Sequence, residues 1–213
     1  MLSSAKCIQN LISAALIALA MTSAPAIASP IVDQQNLGPV RGNVGYGPTL
    51  SRGQSFTVGI EGQLAGFEFN FNKSQQFATG NATLSLFSTD VGGAPDTLLG
   101  QALLPAAAVS TIHALVYFDL TPLSIGVNVG DRLFAALAGD FSGGILSSLD
   151  TYAGGSDWAC GPAFGYPCWT EETNIVPDLV FRSHVIPVPT TGALSLFAIG
   201  LAGLGVARKR RLD

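Results

Sequence analysis

Phe67, Phe69 and Phe71 alternate with Glu68, Asn70 and Asn72, and these six residues constrain the fold more than any other stretch. A period of two puts the three rings on one face of an extended strand and the carboxylate and amides on the other. A strand with one dry face needs a second layer to cover it. The alternation returns at Leu84 and Leu86 against Thr83 and Ser85, and at Val116, Phe118 and Leu120 against Tyr117 and Asp119. Further β-like runs cover 54–60, 98–104, 132–138 and 178–185. Turn chemistry separates them at Glu61-Gly62, 73–80, 92–96, Gly130-Asp131 and Gly143-Gly144. Only 105–109 offers a competing helical turn. Short strands punctuated in this way predict an all-β fold, an antiparallel β-sandwich of jelly-roll type. The absence of βαβ alternation disfavours a doubly wound or barrel enzyme.

The two ends carry a different signal. Residues 193–207 hold no charge and a single hydroxyl, Ser195. Fifteen helical residues reach about 22 Å at ~1.5 Å each, short of the ~30 Å hydrocarbon core, so Thr190, Thr191 and snorkelling cations must complete a span of 191–207. Arg208, Lys209, Arg210 and Arg211 follow at once and hold the C-terminus in the cytoplasm by the positive-inside rule. The preceding domain then faces the other way. Pro187 and Pro189 flank Val188 and remove two backbone donors, so this segment reads as extended and accessible. At the other end Lys6 precedes an apolar run over 11–20, and Ala26-Ile27-Ala28 has the small-x-small pattern of a signal peptidase site. Cleavage is expected after Ala28. Cys7 lies upstream of that point, so the signal is not of the lipoprotein kind.

The order proline motif (186–189), small-residue helix and basic cluster (208–211) resembles the C-terminal sorting signal of the PEP-CTERM proteins of Gram-negative bacteria. The resemblance covers about the last 28 residues. It implies recognition and processing by exosortase, an integral-membrane cysteine protease. The glutamate usual between the prolines is Val188 here, a variant that also occurs in the family. The alternative is an ordinary anchor that is never cut. Within the domain, Gln54-Ser55-Phe56-Thr57-Val58, the run from Leu84 to Asp90 with Gly92-Gly93-Ala94-Pro95, and Asp178-Leu179-Val180-Phe181-Arg182 resemble the extracellular choice-of-anchor β-sandwich domains. The expected organisation is a signal peptide over 1–28, a sandwich over 29–185 and a sorting signal over 186–213.

Between the two targeting segments stand five basic and 13 acidic residues, a net charge of −8. Such a surface argues against nucleic acid and against anionic lipid, and is compatible with neutral polysaccharide. With Cys7 removed, Cys160 and Cys168 remain, in a compartment where disulfides persist. The intervening Gly161, Pro162, Gly165 and Pro167 turn the chain back on itself, so a Cys160–Cys168 bridge is predicted over two free thiols or a metal pair.

Around that bridge cluster Tyr152, Trp158, Phe164, Tyr166 and Trp169. Aromatic faces stack on the C–H face of sugar rings, so Tyr152, Trp158, Tyr166 and Trp169 are candidate glycan contacts; the same rings equally serve to close one end of a sandwich. His113 and His184 accompany no nucleophile or zinc motif, and Glu61 and Glu68 read as solvated carboxylates. Asp90, Asp96 and Asp131 are candidate calcium ligands and equally good turn residues. No catalytic residue and no resident metal are expected. The sequence thus points to a non-catalytic exported surface or matrix protein, held in the inner membrane with its domain in the periplasm and then displayed or secreted. Its expected partners are signal peptidase, exosortase and exopolysaccharide in a biofilm. The alternatives are a carbohydrate-binding module using 152–169 and a polysaccharide hydrolase.

Overall fold

The computed structural model describes residues 28–149, 152–172 and 178–188. The expected signal peptide, save its last residue Ala28, and all of the sorting tail beyond Val188 lie outside these residues. The strands run β1 (Ile31–Asn36), β2 (Val40–Tyr46), β3 (Ser51–Thr57), β4 (Gly62–Lys73) and β5 (Asn81–Thr89). Then come β6 (Pro95–Pro105), β7 (Ala114–Asp119), β8 (Gly126–Val127), β9 (Arg132–Gly139) and β10 (Gly143–Ser148). The last four are β11 (Asp157–Gly161), β12 (Tyr166–Glu171), β13 (Asp178–Leu179) and β14 (Phe181–Pro187). Three single 3₁₀ turns are the helical elements among the described residues, and the first, Ala106–Ala108, falls where a helical turn was expected.

All the strand pairs are antiparallel and form two sheets. One orders β12-β11-β3-β9-β5-β6. The other orders β1-β14-β4-β10-β13, with β2 on β10 and with β7 and β8 on the far side of β4. Between them lies the core that the alternation foretold. Phe67, Phe69 and Phe71 are fully buried, while Glu68, Asn70 and Asn72 face outward. Leu84 and Leu86 of β5 and Leu133, Ala135 and Leu137 of β9 answer them from the opposite sheet. Phe56 crosses the gap, with its ring 5.2 Å from Phe67 and 6.2 Å from Phe181. Each such ring contributes about 1.5–3 kcal/mol by leaving water.

Two local expectations are corrected. Gly143-Gly144 is not a turn but the start of β10, because β2 and β4 pair with it from both sides, and the Tyr46 ring and the Asn72 carbonyl leave no room for a Cβ at Gly143. The stretch 152–169, expected to be an aromatic disulfide loop, is one only in part; from Asp157 it folds into the β11–β12 hairpin, with Trp158 opposite Glu171.

The register fixes which end is which. Ile31 pairs with Val185, and Pro187 with Gly62, so the chain enters and leaves the sandwich side by side. The turns at 47–50, 74–80 and 140–142 and the 161–166 hairpin tip close the opposite end, where Tyr46 and Lys73 both pair with Gly143.

Candidate functional site

The predicted bridge is present: Cys160 and Cys168 are disulfide-bonded, tying the ends of β11 and β12 with Cα atoms 4.2 Å apart. It holds the hairpin at the edge of the six-stranded sheet. From that edge Trp169 reaches back over β11 and β3 to Phe134 of β9, with ring centroids 4.8 Å apart and edge-on. Trp169 takes φ 58°, a left-handed conformation that bulky residues seldom adopt. Gly53 lies beneath, and a Cβ there would collide with Phe134. Trp158 is 8 % exposed and packs edge-on against Phe134 as well, its indole N–H without an acceptor. Phe134, Ala136 and Trp158 thus make a small second core on the outer face of this sheet.

Tyr152 stands at the other end of the domain. Its ring meets Phe181 edge-on at 5.1 Å, and its hydroxyl accepts the Thr57 N–H at 3.0 Å. Burial pushes its phenol up from the ordinary value, opposed by the Thr57 hydrogen bond. The aromatics that cluster in sequence therefore divide between two places. Among the described side chains of the hairpin, the ring partly open to solvent is that of Trp169. The side chain of Tyr166 lies outside what the structure describes.

A polar seam runs inside the sandwich where β3 and β11 face β13. The Gln54 amide donates to Asp178 Oδ1 at 2.7 Å and accepts the Leu179 N–H at 2.8 Å, bridging the two sheets. Beside it Arg52 donates to Glu172 at 2.8 Å and to the Gly45 carbonyl at 3.2 Å. Asp157 is completely buried, 4.0 Å from Arg52, and its oxygens find no well-formed hydrogen bond, the backbone N–H of Trp158 offering only a weak one. Burial pushes its carboxyl well above the usual carboxylate range, and Arg52 opposes this only in part. Residues this polar on inward strand positions escape a hydropathy reading.

On the outer face of the eight-stranded sheet, four residues from three strands distant in sequence come together. Glu68 meets His184 Nε2 at 3.1 Å and Arg182 Nη1 at 3.9 Å. Tyr117 lies edge-on to His184 at 5.4 Å and donates to the Ala65 carbonyl at 3.1 Å, over the space left by Gly66. Glu68 thus pairs with Arg182 and hydrogen-bonds the His184 ring rather than standing solvated alone. Register decides this grouping, since Arg182 and Tyr117 both sit directly opposite Glu68.

Of the remaining candidates Asp90 and Asp131 are turn residues, whereas Asp96, expected in a turn, is the second residue of β6. Asp90 Oδ1 accepts the N–H groups of Gly92 and Ala94, and Asp131 Oδ2 accepts that of Asn128. Asp96 accepts from the Thr97 hydroxyl at 3.2 Å. Of the sorting motif, Pro187 ends β14 and Val188 donates its N–H to the Glu61 carbonyl at 3.3 Å. Pro189 falls outside the described residues, as do Ala26 and the basic tail from Arg208 to Arg211.

No family model and no curated protein matches the chain. Among solved structures, the VP2 subviral particle of infectious bursal disease virus is similar at 13% identity over 87% of this chain, with a TM-score of 0.19. The chain spans 47% of that protein's length. A likeness that slight carries no argument about what this protein does.

Proposed function

We propose that this chain is a non-catalytic exported protein whose jelly-roll-type sandwich is displayed at the cell surface or in the extracellular matrix, after sorting of its C-terminal tail. One observation carries the reading: the β1–β14 ladder. It brings residue 31 beside residue 185, so the sandwich closes directly between the two expected targeting segments with almost no spare chain at either junction. The proline motif begins inside the sheet, because Pro187 is laddered to Gly62. On this reading the domain can fold completely while the tail is still in the bilayer, and it stands close above the membrane with one end turned away. Exosortase would then act within a few residues of the sheet edge. Processing would release the sandwich toward exopolysaccharide.

Intact mass of the mature protein from its native host, with and without the candidate exosortase, tests this. The expected result is a chain beginning near Ser29 in both strains and lacking 193–213 only when the protease is present. A mass that keeps the tail in both strains would leave a plain membrane-anchored domain. A mass that keeps residues 1–28 would remove the export reading as well.

A further inference from the structure

At the end of the sandwich remote from both termini, the turns at 47–50, 74–80 and 140–142 enclose a depression of about 250 Å³. Pro48, Gln75, Phe77, Thr79, Asp140 and Ser142 line it. Its edge carries Phe77, a ring left 88 % exposed. A lone exposed apolar side chain is ordinary on a protein surface. This one differs in its setting, because the loop that carries it is pinned at both ends. The Ser74 N–H donates to the Ser142 carbonyl at 2.9 Å, and the Asn81 N–H donates to Asp140 Oδ2 at 2.9 Å. Gly80, at φ 87°, makes the second anchor feasible: a Cβ there would crowd Asp140. The backbone that carries Phe77 is therefore anchored beside an amide, two hydroxyls and a carboxylate, and the ring itself is left open to settle on a ligand.

The chemistry of the lining selects the class of ligand. A flat apolar ring next to hydroxyl-pairing groups suits a pyranose, which offers a C–H face and a rim of hydroxyls. The lining contains no cation, and the nearby Lys73 is turned inward, its Nζ donating to the Ala106 carbonyl at 2.8 Å. A carboxylate without a partner cation disfavours uronate, sulfate or phosphate polymers. We infer that these loops form a glycan-contact site, in which Phe77 stacks on one ring of a neutral polysaccharide while Gln75, Thr79, Asp140 and Ser142 pair with its hydroxyls. The inference deepens the matrix reading by naming the contact; the outward direction of the site rests on the proposed C-terminal anchor, and the pocket itself does not. With one aromatic the site holds weakly, and firm attachment comes from many copies along one polymer.

The test is affinity electrophoresis of the full chain in an uncharged detergent, through gels containing soluble neutral glucans, mannans and galactans, with alginate as the anionic contrast. Wild type should be retarded by at least one neutral polymer and pass freely through alginate. Phe77→Ala should weaken retardation at least tenfold, and Phe77→Trp should preserve or strengthen it. Asp140→Asn keeps an oxygen for the Asn81 N–H, so it should weaken binding while the melting temperature stays unchanged. Trp169→Ala should leave retardation intact. The inference is overturned by free passage through every neutral gel, by retardation in alginate alone, by retardation insensitive to Phe77→Ala, or by loss with Trp169→Ala instead. None of these outcomes touches the sorting reading, which is decided by the mass of the tail.

Discussion

Trp169 lies against Phe134 with its ring edge-on at 4.8 Å, although two strands separate the residues within the sheet. The contact exists because Gly53, on the intervening β3, leaves the outer face of the sheet hollow. Aromatic side chains that cluster in the sequence thereby serve as a lid over one edge of the sandwich.

Gly53→Ala puts a methyl group where the Phe134 ring now lies, with Trp169 as the next neighbour. Overpacking of this kind costs about 1–3 kcal/mol. The expected outcome is a lower melting temperature together with a red-shifted tryptophan emission as Trp169 is lifted into water. An unchanged emission spectrum would show that the lid does not depend on the glycine.

The Cys160–Cys168 bridge closes a short loop, so its removal by Cys160→Ser should cost only about 2–3 kcal/mol in the chain-entropy picture. In a domain of this size that corresponds to roughly 5–10 °C in melting temperature. Because Trp169 follows Cys168 directly, the loss should also appear in tryptophan emission. Thermal unfolding of oxidised, reduced and Cys160→Ser protein measures it, and equal melting points would mean that the hairpin holds without the bridge.

Asp157 sets an unusual pH dependence. Its folded-state pKa is raised by burial, so the folded protein holds this proton more tightly than the unfolded chain does. Stability from this residue is therefore full below the unfolded value near 3.8 and is lost as pH rises toward the folded value. Asp157→Asn removes the charge that must be buried above that window. The substitution should raise stability at pH 8 by about 1–3 kcal/mol relative to wild type, the range for relief of an unsatisfied buried group, with a smaller difference at pH 4. Denaturant melts at both pH values check the sign; a variant less stable at pH 8 would mean that the Arg52–Asp157 attraction outweighs burial.

Much of the fold was legible because strand alternation is a local property. Phe67 to Asn72 display their two faces within six residues, and the same holds for 83–86, so sheets and an inward aromatic core could be read directly. The segments that became β1, β2 and β10 were not legible in this way. Ile-Val-Asp-Gln-Gln-Asn and Val-Arg-Gly-Asn-Val-Gly-Tyr carry little alternation, and they are strands because neighbouring ladders recruit them. The disulfide was legible from spacing and compartment, whereas the division of the loop aromatics between two ends of the domain was not.

Alone, then, the sequence determined the all-β class, the paired cysteines, the acidic balance of the domain and the order of its expected targeting segments. All of these follow from composition or from short-range periodicity. Tertiary structure decided which polar residues lie inside and which apolar ones, Phe77 among them, stay outside. Gln54 is buried because Asp178, 124 positions away, receives its amide hydrogen, and Glu68 gains His184 through strand register. Phe77 remains exposed because its loop is pinned to 140–142 and not folded onto the core. A side chain's burial depends on partners brought from elsewhere in the chain, and no window of neighbouring residues contains them.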